Sequence, residues 1–148
     1  MSLLTADRDT EFVDRLVRDQ VPLGASVKVF NGGAVALAGG NLHPAGPGKK
    51  HFRGIANQSV DNTGGAAGAL SAYVITPEAA WWDPPSGGYT QANVGQSVYF
   101  ADDHTLTSTG GNNTYAGRIR AVDSTLGILV DHRGAYAELL SPAATTAA

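Results

Sequence analysis

Turn signals recur roughly every eight to twelve residues over about 110 residues of this chain, and that spacing constrains the fold more than any other feature. From residue 26 onward, apolar runs are cut by Asn31-Gly32-Gly33, Gly39-Gly40-Asn41 and the 43–50 segment HPAGPGKK. Further cuts follow at residues 61–65 (DNTGG), 83–88 (DPPSGG) and 110–113 (GGNN). Glycine and asparagine accept the left-handed backbone that tight turns need, and proline removes a ladder donor, so long helices have no room here. Between the cuts lie strand-like runs at 26–30, 34–38, 52–60, 70–76, 94–101, 105–108, 115–122 and 126–130. Val27 and Val29 alternate with Ser26 and Lys28, whereas Ile128, Leu129 and Val130 are consecutively apolar, as a strand covered on both faces would be. The expected fold class is all-β, a compact antiparallel β-barrel or sandwich with a short N-terminal helix or arm.

Residues 10–18 (TEFVDRLVR) carry the one helical period: Phe12, Val13, Leu16 and Val17 form a narrow apolar stripe between charges. Acidic residues precede it and Arg15 and Arg18 end it, which suits the helix dipole, and Pro22 and Gly24 close it. A helix this short is marginal alone and must dock on something, its own domain or another subunit. Residues 1–21 are therefore expected to form an arm whose contacts with a neighbouring subunit or a larger assembly run through Phe12, Val13, Leu16 and Val17. Residues 22–133 form the β domain. Residues 134–148 are an extension ending in a loosely held tail, SPAATTAA.

The chain has 148 residues, enough for one domain with a real core, and no cysteine, which excludes disulfides, thiolate metal sites and a thiol nucleophile. No stretch approaches the ~18 apolar residues of a membrane helix, and the N-terminus turns charged too early for a secretory signal. The expectation is a soluble protein with no membrane partner. Basic residues cluster before residue 54 and are missing from 54 to 117, so a phosphate-binding groove, and with it a nucleic-acid partner, is not expected. Charged residues make up 16% of the chain, against about 25% in an average domain, which suits a surface buried by neighbouring subunits.

Candidate chemistry is sparse. Asp102-Asp103-His104 resembles a metal or acid–base cluster, but adjacent strand residues point to opposite faces, and an Asx-rich turn is the simpler expectation. His132 beside Asp131 is expected at the surface. No Gly-x-Ser-x-Gly elbow and no phosphate loop is present, so neither catalytic residues, nor a metal, nor a cofactor is expected, and the chain does not read as an enzyme. Trp81-Trp82, ahead of Pro84-Pro85, stands out. Alternation would bury one indole and leave the other half-covered, at a subunit contact, or free to stack on a sugar.

The ordered series VKVFNGGAVAL (27–37), FRGIA (52–56), SVDNTGG (59–65), TQANVGQSVYFADD (90–103), HTLTS (104–108), YAGRIRAVD (115–123) and GILV (127–130) resembles tailed-phage capsid decoration (head cement) proteins. That resemblance implies a β-barrel-like domain, commonly a homotrimer, bound to the major capsid protein on the outer capsid surface of the virion after synthesis in the host cytoplasm. It implies a structural, non-catalytic role in reinforcing the head against packaged DNA. The 81–88 segment and the 133–148 extension are atypical of the family. A carbohydrate-binding adhesion module, resting on Trp81 and Trp82, is the alternative.

Overall fold

The computed structural model describes residues 2–13 and 18–140. In chain order its elements are β1 (Phe12–Val13), β2 (Arg18–Pro22), β3 (Lys28–Val29), β4 (Ala34–Ala38), β5 (Asn41–Pro44), β6 (His51–Ala56) and β7 (Val60–Asp61). They continue with β8 (Ser71–Ile75), β9 (Ala79–Trp82), β10 (Ser97–Phe100), β11 (Leu106–Thr107), β12 (Thr114–Asp123), β13 (Gly127–Asp131) and the helix α1 (Arg133–Leu140). Among the described residues the fold is all-β with one short α-helix, as the turn spacing leads one to expect. Among the described residues no helix is long and apolar enough to cross a membrane.

Five strands form an antiparallel sheet in the order β2-β8-β6-β4-β5. Leu23, just past β2, bridges Leu42 of β5 in parallel, with the Gly24 amide donating to the Leu42 carbonyl at 3.1 Å. That seam joins the two outer strands, so the sheet closes into a small barrel. Val21, Leu23, Val35, Leu42, Ala56, Ala72 and Val74 fill its interior, and Val27 and Val29 of the β3–β7 ribbon join them.

A second antiparallel sheet, ordered β1-β9-β13-β12-β10-β11, packs against the outside of the barrel. Ala34, Ala36, Phe52, Ile55 and Ile75 face Ala80, Trp82, Val98, Phe100, Ile119, Ile128 and Val130 across this layer. β4 is buried on both faces over Ala34–Ala36, which explains its apolar run AVALA, and β6 and β8 are so only at Ile55–Ala56 and Val74–Ile75, His51, Arg53, Ser71 and Tyr73 staying half-buried. Keeping Phe52 and Ile55 on one face takes an extra residue. Ala34 pairs with Ile55, Val35 with Gly54 and Ala36 with Phe52, so Arg53 is the bulge. Gly54 follows from it: its φ is +143°, and a Cβ there would lie 2.2 Å from the Ile75 carbonyl oxygen.

The expected helix over 10–18 is not found at its described ends. Phe12 and Val13 pair with Ala80 and Ala79 of β9, and Arg18 opens β2, paired to Ile75 of β8. Strands β9 and β8 offer these residues backbone partners that a short isolated helix must do without. Nor do residues 2–11 project away as an arm. The Arg8 amide donates to the Asn31 carbonyl at 2.7 Å, the Thr10 hydroxyl donates to the Gly32 carbonyl, and the Trp81 amide donates to the Glu11 carbonyl at 2.8 Å. The helix lies instead beyond β13, in the segment expected as an extension. Asp131 accepts from the Arg133 amide at 3.0 Å, and Tyr136 stacks on Phe52 at 5.3 Å while donating its hydroxyl to the Pro77 carbonyl at 2.9 Å. The tail 141–148 lies outside the described residues.

Candidate functional site

Strand β9 separates the two tryptophans by simple alternation. Trp82 pairs with Ile128, points into the layer between barrel and sheet, and is fully buried against Phe100, with ring centroids 4.9 Å apart at 83°. Trp81 pairs with Leu129, and Leu129 pairs with Ala121, so an apolar row crosses the outer face of the sheet, with Leu129 buried and Ala121 and the Trp81 indole half-buried. Of the six residues expected at a subunit or capsid contact, Trp81 therefore holds an outward position and Trp82 a core one. Phe12 and Val13 lie on the edge strand beside them, and Leu16 and Val17 fall outside the described residues.

His132 is completely buried, against the expectation of a surface residue. Its ring closes a polar link inside the core. Trp82 Nε1–H donates to His132 Nε2 at 2.9 Å, and His132 Nδ1 lies 2.6 Å from the Ala116 carbonyl oxygen. An indole N–H can only donate and a carbonyl can only accept, so the ring is neutral with its proton on Nδ1. Ala116 is itself a bulge residue, since Val98 pairs with Gly117 and Tyr99 with Tyr115. Burial, the largest influence, drives the His132 pKa down to about 4. Nothing in the sequence pointed to this link, because Trp82 and Ala116 are remote along the chain.

The third feature is Asp102-Asp103-His104. The expectation that these side chains diverge assumed a strand, but residues 101–104 form a bend between β10 and β11. One carboxylate, imidazole or second carboxylate atom from each residue lies within 4.8 Å of the others. His104 Nδ1 is 3.0 Å from Asp103 Oδ1 and 3.3 Å from Asp102 Oδ1. Both carboxylates are held from behind by backbone amides. Asp102 Oδ1 accepts from the His104 and Thr105 amides at 3.0 and 2.8 Å, and Asp103 Oδ1 accepts from the Leu4 amide at 3.0 Å. Asp102 and Asp103 are almost fully buried, and desolvation pushes the Asp103 carboxyl above its ordinary pKa. On the far side of the imidazole, Asp83 Oδ2 lies 4.0 Å from His104 Nε2 and Asp83 Oδ1 accepts from Arg8 at 3.0 Å. Arg8 also rests 5.1 Å over the Trp82 ring.

The N-terminal segment thus ties the tryptophan strand to the acidic bend, using contacts that no local motif announces. No family model, no characterised protein and no solved structure matches this chain.

Proposed function

We propose that this chain is a non-enzymatic structural protein of a virus particle, a decoration or cement protein that binds the outer surface of a tailed-phage capsid as a homo-oligomer, a trimer in the arrangement the resemblance implies. The observation that carries the reading is where the resembling segments fall. Residues 27–37 span β3, its turn and β4; 52–56 lie in β6; 59–65 cover β7 and its turn. Residues 90–103 contain β10, 104–108 contain β11, and the last two segments lie in β12 and β13. The series takes in β3, β4, β6, β7 and β10 to β13, strands of both sheets, and leaves out β1, β2, β5, β8 and β9. A cement protein gains affinity by burying neutral surface on several shell subunits at once, and a chain with 16% charged residues suits that mode of binding.

On this reading Trp81 and its row with Leu129 and Ala121 form a contact with the major capsid protein or a neighbouring copy. Pelleting the purified chain with capsids that lack it tests the reading. Wild type is expected to co-sediment, and Trp81→Ala is expected to weaken that binding by about 30- to 1000-fold, as loss of a buried aromatic anchor does. Failure of the wild type to bind capsids would remove the proposal. Retained folding with loss of polysaccharide binding in the same variant would point to the carbohydrate-binding alternative instead.

A further inference from the structure

We propose that His132 is an acid-sensitive latch for α1: taking up a proton turns its ring out of the core and releases residues 132–136 while both sheets stay folded. The ring is completely buried and packs on Phe52, with centroids 4.6 Å apart. Tyr136, Phe100 and Trp82 stand around it at 6.2, 6.1 and 6.0 Å. Both nitrogens are committed, Nε2 accepting from the Trp82 indole and Nδ1 donating to the Ala116 carbonyl. A second ring proton would meet the indole N–H head-on, so the imidazolium finds its missing acceptor in water and not in the core.

The surrounding groups do not rescue the charge. The Ala116 carbonyl and the Asp131 carboxylate favour a cation, but burial outweighs both. Asp131 is held by Arg133 at 2.5 Å, and Arg133 also reaches Glu78 at 3.1 Å. From the other elements the nearby charges are positive: Arg8 stands over the Trp82 ring, and Arg53 of β6 acts on Tyr136. His132 also opens α1, its carbonyl accepting from the Ala135 and Tyr136 amides at 3.0 and 3.2 Å, and the positive end of a helix disfavours a cation. The place of His132 decides which part moves. Trp82, Phe52 and Phe100 stand on β9, β6 and β10, each hydrogen-bonded to a strand on both sides. His132 lies one residue past β13, where its amide donates to the Glu78 carbonyl at 2.9 Å. The described anchors beyond it are Ala135, the Tyr136 ring on Phe52 and the Tyr136 hydroxyl on Pro77. Bringing the charged ring to water by way of α1 breaks these contacts, whereas moving any of the three strands breaks two ladders. The released ring takes up its proton in the ordinary histidine range and the docked ring well below it, so falling pH favours release.

Amide hydrogen exchange on the full-length chain, followed by NMR, tests this. Between about pH 6 and pH 5 the protection of the Ala135 and Tyr136 amides, which the His132 carbonyl holds, is expected to fall about eightfold. The Ile119 and Ala56 amides, bonded to the Gln96 and Gly33 carbonyls, should stay at least about tenfold better protected at both pH values. In His132→Gln the α1 amides should show no such fall. If that variant does not fold, the comparison of α1 with Ile119 and Ala56 in the wild type decides alone. The proposal is overturned if α1 protection is the same at both pH values, if it equals that of Ile119 and Ala56 at both, or if folded His132→Gln shows the same fall.

Discussion

His132 is held between a group that can only donate and a group that can only accept, and this leaves it one protonation state. Protonation would set a second N–H against the Trp82 N–H inside a layer that excludes water. With the folded pKa lowered from 6.5 to about 4, the unfolded chain binds the proton more readily, so the contribution to stability is present at neutral pH and lost as pH falls from 6.5 toward 4. The loss is about 3 kcal/mol for a fully buried ring. Asp103, whose carboxyl is pushed up, works in the opposite sense and gains stability as pH falls through its raised pKa. Comparing wild type with His132→Gln isolates the histidine. Their difference in urea-melt stability should narrow by about 3 kcal/mol between pH 7 and pH 4, and a constant difference would contradict a buried neutral ring. Trp82→Ala should lower stability by about 3–5 kcal/mol, whereas Trp81→Ala should leave the isolated fold within about 1.5 kcal/mol of wild type. The split between the two tryptophans was legible from alternation alone. The histidine was not, because its neighbour Asp131 suggests a surface pair and its partners, Trp82 on β9 and Ala116 at the bulge of β12, are remote along the chain.

At the level of elements, the glycine and asparagine turns were legible because each needs a backbone few other residues accept. The exceptions have physical causes. β5 was hidden by Pro44, which reads as a loop residue, yet Pro44 pairs with Val35 on a strand that can do without its amide. α1 was hidden because the partners of its described anchors Ala135 and Tyr136, among them Phe52 and Pro77, are distant along the chain. At the described ends of the stripe, Phe12 and Val13 join β9 and Arg18 joins β8, edges of two different sheets, while residues 14–17 lie outside the described residues. The N-terminal segment is consequently part of the fold rather than an appendage. Arg8 joins Asp83, Thr10 and the Trp82 ring, with its own side chain only 18% exposed. Arg8→Ala should therefore cost about 1–2 kcal/mol in chemical denaturation, and no measurable change would show that the segment is held by its backbone bonds alone.

For the whole molecule, the all-β class followed from turn spacing, which left barrel and sandwich both open. Closure depends on the single Leu23–Leu42 seam, which no pattern within either strand encodes. The acidic bend is the Asx turn expected of it, with Asp102 Oδ1 on the His104 and Thr105 amides; only the expected divergence of its side chains fails, because the chain leaves strand geometry after Phe100. The proposed role as a capsid cement rests on the framework these strands make and on the outward Trp81 row. A trimer or other homo-oligomer is expected by light scattering in solution or on the particle, and a monomer in both settings would contradict it. The most direct measurement is an electron cryo-microscopy map of particles produced by the genome that encodes this chain. The account predicts density for the barrel and its packed sheet on the outer capsid surface, with the Trp81 face against protein. A map at side-chain resolution that lacks this density on the shell, from particles whose preparation contains the chain, would contradict it.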